Sequence, residues 1–180
     1  MSRPDAGSKR RVLLIGLDSA DAELIENWIG EGRLPSFARM RREGVYSRLG
    51  TTADYLHVSA WPTLYTGTMP GQHGLYHAYQ IRAGEQLIHR TEPASAGRPP
   101  FWKYLDDAGK RCVIFDAFMD YAIPGFKGVQ ILDYGTWTWF GDPASNPRGL
   151  LGEIKRRFGP YPAPEHSTLV QVPSVVQSPP

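Results

Sequence analysis

Cysteine is nearly missing from this sequence of 180 residues, in which Cys112 is the single example. One cysteine cannot form an internal disulfide, and its place in the apolar run RCVIF favours a small buried side chain over a reactive thiol. Proteins without disulfides are typical of reducing compartments. We therefore expect the chain to fold without covalent cross-links, in the cytoplasm.

Long hydrophobic runs are missing as well. The apolar stretch from Val12 to Leu17 holds six residues, which is fewer than the roughly 7–15 of a signal-peptide core. No run reaches the 18 or so apolar residues of a membrane-spanning helix. The sequence therefore predicts neither a secretion signal nor a membrane span.

An excess of either charge is also missing. The 20 basic residues nearly balance the 18 acidic ones, and the net charge is +2. Proteins that bind nucleic acid or anionic membranes usually carry a strongly basic surface. This balance therefore argues against both kinds of partner.

Strand-like and helix-like segments alternate through most of the chain. Such alternation is typical of α/β folds, so we expect a mostly parallel sheet with helices on both faces. The pattern predicts strands at 11–17, 45–49, 111–115 and 129–132, helices at 22–30, 35–43, 61–67, 99–108 and 148–158, and a hairpin of 76–81 with 86–89.

These elements are expected to form one domain over residues 11–158. Residues 1–10 are expected to be a flexible N-terminus. Residues 159–180 are rich in proline and carry no strand or helix pattern, a composition typical of a disordered tail. Asp21 is the expected N-cap of the first helix, and Pro35 lies in the first turn of the second.

Asp18 ends the first predicted strand abruptly, after five aliphatic residues and one glycine. In parallel sheets, ligands bind beyond the carboxyl ends of the strands, so this acid is placed where a functional carboxylate is expected. The alternative is that Asp18 stabilises the amino end of the helix that follows. The residues themselves leave both interpretations open.

A second segment, SAWPTLYTGTMPGQHG at 59–74, is dense in Gly, Pro, Ser, Thr and His. The chain resembles the type I phosphodiesterase/nucleotide pyrophosphatase family of the alkaline phosphatase superfamily. The residues that carry the resemblance are Val12–Asp18, GRLPSF at 32–37, Gly44 and Trp61–Gly74. In this family a strand ending in an acid opens the fold, and an element ending in TGxxPxxHG follows. The resemblance extends to about residue 135.

The resemblance implies a metal-dependent hydrolase of phosphodiester or phosphoric ester bonds. Its substrate would be a phosphate-ester small molecule or a nucleotide. Members of the superfamily bind two divalent ions, usually zinc, about 3.5–4 Å apart, an arrangement that clamps the attacking and leaving oxygens of a phosphoryl transfer. Asp18 matches the first metal ligand of this family.

The nucleophile is where the sequence departs from the family pattern. The family places a Thr or Ser ten residues before the Gly of the TG pair, and here that position is His57. Ser59 is the nearest hydroxyl, and Thr51 and Thr52 are more remote candidates. Ser59 and His57 are the catalytic candidates, and we expect them to face Asp18 across a cleft. The alternative for Ser59 is a capping role at the helix that starts at Ala60, and the nucleophile of the family is then displaced or lost in this chain.

The resemblance is to the N-terminal half of the family only. Full-length members carry further metal ligands in an Asp-x-x-x-His and an Asp-His pair, and neither pattern follows Asp142. We therefore expect the chain alone to be a poor enzyme. The alternative function is a truncated, non-catalytic half-domain that acts only as a binding or self-associating module. His73 is expected mainly to shape a turn, and Trp137 and Trp139 to pack in the interior.

Overall fold

The computed structural model describes residues 11–52, 57–81, 83–134 and 143–160, with the side chain of His57 outside this description. The chain divides into two compact units, residues 1–49 and 50–180. The predictions for residues 1–10, for most of the proline-rich tail and for Trp137 and Trp139 lie outside the described residues.

The described part of the first unit contains two helices, α1 (Ala22–Gly30) and α2 (Pro35–Glu43). The side chain of Asp21 accepts a hydrogen bond of 2.7 Å from the amide of Leu24, which satisfies one of the free N–H groups of the first turn. Helix α2 begins at Pro35, where its fixed φ and missing N–H are tolerated. Both helices and the Asp21 cap confirm the prediction.

The predicted strands at 11–17 and 45–49 are wrong. Neither segment lies in a strand, and their side chains are exposed, with Val12 at 93% and Val45 at 100%. An apolar run makes burial favourable but does not determine which other element of the fold covers it. A parallel strand gains its hydrogen bonds and its cover entirely from other elements, and no described strand pairs with either segment.

The second unit contains a hairpin, which the sequence predicted. Strands β1 (Tyr79–Ile81) and β2 (Ile88–Arg90) pair antiparallel, with Gln80 opposite His89. Gly84 in the connection has φ +84°, a conformation that costs glycine little. The hydrogen-bonded part is shorter than the predicted 76–81 and 86–89.

The described part of the second unit also holds a mixed sheet of three strands, in the order β3-β4-β5. Strands β3 (Val113–Phe115) and β4 (Val129–Leu132) are parallel, as predicted, whereas β5 (Ala144–Asn146) is antiparallel to β4. The fold is therefore mixed α/β, and the described sheet is smaller and less parallel than the prediction. Strand β5 has no apolar run, which is why its sequence gave no signal.

The described residues of the second unit also form four α-helices. They are α3 (Ala60–Thr66), α4 (Pro70–His73), α5 (Phe101–Asp107) and α6 (Leu150–Phe158). Tyr65 of α3 and Trp102 of α5 meet with ring centroids 5.1 Å apart and are buried with Ile123 and Phe126. Burial of each such side chain contributes about 1.5–3 kcal/mol. This core fixes α3, which follows Ser59.

A second buried cluster consists of Val58, Leu75 and Met119. Val58 immediately precedes Ser59, so this cluster lies next to the candidate nucleophile. Among the described residues, no helix is both long enough and apolar enough to cross a membrane.

Candidate functional site

Residues 57–75 fold into a chain of short turns. A 3-10 turn at His57–Ser59 leads into α3, and α4 follows after a sharp break. Gly67 ends α3 with φ +65° and Gly74 ends α4 with φ +76°. Glycine adopts this left-handed conformation without a steric penalty and so ends helices well. The predicted helix at 61–67 is confirmed, shifted by one residue.

Ser59 lies at the N-cap position of α3, but its side chain makes no capping hydrogen bond. The capping alternative is therefore wrong. Its Oγ lies instead 2.7 Å from Oγ1 of Thr52, and the residue is 0% exposed. The two hydroxyls form a hydrogen-bonded pair, with one oxygen donating and the other accepting. Thr52, a more remote candidate in the sequence, is half-buried.

Asp18 is exposed at the end of its extended segment, and its Oδ2 accepts a hydrogen bond of 3.2 Å from the hydroxyl of Ser19. The acid that caps α1 is Asp21. Asp18 belongs to the first unit, whereas Ser59 and His57 belong to the second. The common cleft expected for these three residues thus stays a prediction.

The described residues do not by themselves fit a metal centre. Among them, no three side chains of His, Cys, Asp or Glu lie close enough together to hold a metal ion. Catalytic zinc sites use about three protein ligands for each ion. Within this part of the chain, Asp18 would therefore supply one ligand of a larger set.

His73 is completely buried and uses both nitrogens of its ring. The amide of Leu75 donates to Nδ1 at 3.0 Å, and Nε2 lies 3.1 Å from Oγ1 of Thr63 in α3. A backbone amide can only donate, so Nδ1 carries no proton and Nε2 carries the hydrogen. Burial lowers the pKa of His73 and favours this neutral form. The residue joins a turn to a helix, in agreement with the role expected from the sequence.

An acidic cavity in the second unit escaped the sequence analysis. Asp116 directly follows β3 and Asp133 directly follows β4, with φ of +53° and +50°. They line a cavity of about 330 Å³ together with Asp120 and Glu92. The sequence signal was an acid directly after each of the two predicted strands at 111–115 and 129–132.

Asp120 is the acid of this cavity whose protonation is perturbed. Burial raises its pKa to about 6, against hydrogen bonds that stabilise the carboxylate. Those bonds come from the amide of Tyr121 at 2.8 Å and from Nε2 of Gln130 at 2.7 Å. Gln130 lies in β4, so this acid is tied to the centre of the described sheet.

The comparison with protein families decides the affiliation of the chain. A family model described as type I phosphodiesterase / nucleotide pyrophosphatase matches residues 12–141. The chain belongs to this family. The match includes Asp18, His57, Ser59 and His73 as well as the acidic cavity, and it confirms the resemblance inferred from the sequence. No curated protein and no solved structure matches this member of the family.

Proposed function

We propose that this member of the phosphodiesterase family hydrolyses phosphodiester or phosphoric ester bonds, with Ser59 as nucleophile and His57 beside it. The observation that carries the proposal is the placement of Ser59. Its hydroxyl is not used to cap α3 and instead pairs with Thr52 inside the segment of the family match. Serine and threonine hydroxyls that are activated by an adjacent base form covalent intermediates in many transferases and hydrolases.

The reaction has two steps on this proposal. The Ser59 oxygen forms a bond to phosphorus while the bond to the leaving oxygen breaks, and that oxygen departs with the bonding electron pair. The proton of the Ser59 hydroxyl is taken up by the leaving oxygen. Water then attacks the phosphorus of the covalent serine intermediate, the bond between phosphorus and the Ser59 oxygen breaks, and a proton of that water returns to Ser59. Because Ser59 is 0% exposed, the residues that cover it must move aside when substrate binds.

Asp18 enters this proposal as a ligand for a divalent ion, most simply zinc. A bound zinc ion acts as a Lewis acid that stabilises charge on phosphoryl oxygens. Since no group of three potential ligands lies together among the described residues, we expect weak metal binding and slow turnover by the chain alone.

Thr52 is a second candidate for the nucleophile. It is half-buried, whereas Ser59 is fully buried, so its hydroxyl is the more accessible member of the pair. On this alternative, Ser59 orients Thr52 through the 2.7 Å hydrogen bond. Separate Ser59→Ala and Thr52→Val variants distinguish the two roles.

A self-associating module is the second candidate function, and exposed apolar side chains favour it. Val12 and Leu13 are exposed in the first unit, and Val113 and Phe115 are exposed on β3, an edge strand of the described sheet. Exposed apolar patches and open strand edges promote association. Sedimentation equilibrium over a range of protein concentrations tests this candidate.

The test of the enzyme proposal is hydrolysis of bis(p-nitrophenyl) phosphate by the purified chain over a zinc titration. We expect turnover above that of zinc in buffer, lost in Asp18→Asn and Ser59→Ala. Glu23→Gln serves as the matched control for a lost carboxylate, because Glu23 lies nearby in α1. Wild-type turnover equal to the buffer background would reject the proposal and favour the non-catalytic module.

A further inference from the structure

His73 connects two pieces of the candidate site. Its ring links α3, through Thr63, to the turn that begins at Gly74, through the amide of Leu75. Thr63 lies four residues after Ser59, about one helical turn further along α3. A bond that holds Thr63 therefore holds the end of the helix from which Ser59 projects.

The backbone around His73 is clamped from the opposite side. The amide of Gly97 donates to the carbonyl of His73 at 3.0 Å. A Cβ on Gly97 would lie only 2.5 Å from the carbonyl oxygen of Gln72. The two backbones thus approach more closely than any residue with a side chain allows, and this contact restrains the backbone of the turn that carries His73.

Apolar packing reinforces the same connection. Leu75, which donates to the ring, is 1% exposed and packs with Val58, the residue before Ser59. The hydrogen bond and the packing both connect the turn that contains His73 to the 57–63 stretch, and each holds a different end of that stretch. No water competes for a ring that is 0% exposed.

We propose that His73 is the positioning residue of the site: as the Nε2–H tautomer it anchors α3 and keeps the hydroxyl of Ser59 beside Thr52. The role in catalysis rests on the proposed function, whereas the tautomer and the anchoring do not. With both nitrogens engaged inside the protein, His73 acts through Thr63 and Leu75 and touches neither metal nor substrate.

Thr63 offers the cleanest test, because Thr63→Val removes the hydroxyl while keeping the shape and Thr63→Ser keeps it. We expect amide hydrogen exchange across 58–63 to become about tenfold faster in Thr63→Val, as for the loss of one buried hydrogen bond. Thr63→Ser should match the wild type, and exchange in α5 should not change in either variant. Equal exchange in Thr63→Val and Thr63→Ser would overturn the proposal.

The ring itself provides a readout that a purely packing role would not affect. Nitrogen-15 NMR of the histidine side chains, assigned with His73→Gln, should show protonated Nε2 and unprotonated Nδ1 for His73. The Gln variant can also restore a donor toward Thr63 and should retain slow exchange, whereas His73→Leu should not. An Nδ1–H tautomer, or a charged ring at pH 7, would contradict the assignment.

Kinetic measurements distinguish a failure of this proposal from a failure of the proposed function. Thr63→Val should lower kcat for bis(p-nitrophenyl) phosphate with little change in KM, since it misplaces the nucleophile and not the substrate. Full kcat in Thr63→Val together with inactive Ser59→Ala would reject the role of His73 and leave the function intact. An inactive wild type with the expected tautomer and exchange would reject the function and leave the anchoring intact.

Discussion

The two segments that carry the family pattern behave differently in this structure. Val12–Asp18 is extended, exposed and outside any strand, whereas residues 57–75 are folded and held by buried and partly buried hydrogen bonds. The second segment encodes its structure locally, through glycines that end helices and a histidine that bonds within ten residues. The first depends on elements distant in sequence. Local chemistry thus accounts for one half of the pattern and not for the other.

The largest effect is expected from a substitution that breaks the clamp on the second segment. Gly97→Ala places a Cβ 2.5 Å from the carbonyl oxygen of Gln72, and relief of that contact requires the backbone to move. We expect the free energy of unfolding of the second unit to fall by about 1–3 kcal/mol. Urea unfolding monitored by tryptophan fluorescence measures it.

Gly152→Ala is the matched control for that substitution. Gly152 lies in α6 and a Cβ there would meet nothing within 4 Å, so alanine should raise the free energy of unfolding by about 0.5–1 kcal/mol. A similar loss of stability in both variants would show that the close approach at Gly97 is not the cause.

Asp120 should make stability fall as the pH rises. Its pKa is raised from 3.8 to about 6 in the folded chain, so the folded state binds the proton more tightly. This contribution is complete below pH 3.8 and is lost as the pH rises through about 6. The free energy of urea unfolding at pH 7.5 minus that at pH 5 should be more positive for Asp120→Asn than for the wild type, because the variant lacks this loss.

An unchanged pH dependence in Asp120→Asn would contradict the assignment of the titration to this acid. Asp107→Asn is the control, because that acid lies in α5 and pairs with Lys103 at the surface. Its substitution should leave the difference between the two pH values as in the wild type.

His73 should act in the opposite direction. Burial lowers its pKa below the ordinary 6.5, so the unfolded chain binds the proton more tightly. Stability from this residue is complete above pH 6.5 and is lost as the pH falls through the lowered pKa. His73→Gln, which does not titrate, should remove this acid-side loss in urea unfolding between pH 7 and pH 4.5.

His77→Gln is the control for His73, since His77 lies exposed in the hairpin region. It should retain the acid-side loss of the wild type. If His77→Gln removed the loss and His73→Gln did not, the buried ring would not be the titrating group.

The sequence predicted the elements whose signals are local. Helix α1 follows from the Asp21 cap, and the hairpin from strand patterns on either side of Gly84. It did not predict that Val12–Leu17 would be exposed. Periodicity indicates that a segment tends to be buried, but it does not identify the element that would cover the segment. Strand β5 was missed because pairing with β4 selects it, not an apolar run of its own.

The candidate site was predictable to a similar extent. Ser59 and His73 stood out because hydroxyl and imidazole side chains among glycines are typical of shaped sites. The pairing of Ser59 with Thr52 is a contact between residues seven apart, across a loop whose path no pattern specifies. The acidic cavity brings together Asp116 and Asp133 through strand pairing. A single sequence does not show which strands pair.

The smallest effect on stability is expected in the first segment. Leu13→Ser replaces an exposed side chain, so the free energy of unfolding should change by no more than about 0.5 kcal/mol. If the segment drives self-association, the same variant should reduce the weight-average mass in sedimentation equilibrium. A large loss of stability would show that the segment is buried in solution.

The most direct test of the central claim is mass spectrometry of the chain quenched during turnover of bis(p-nitrophenyl) phosphate with zinc. We expect a p-nitrophenyl phosphoryl adduct on Ser59, absent from Ser59→Ala and Asp18→Asn and retained in Thr52→Val. An adduct on Thr52, or sustained turnover by Ser59→Ala, would contradict the assignment of Ser59 as the nucleophile.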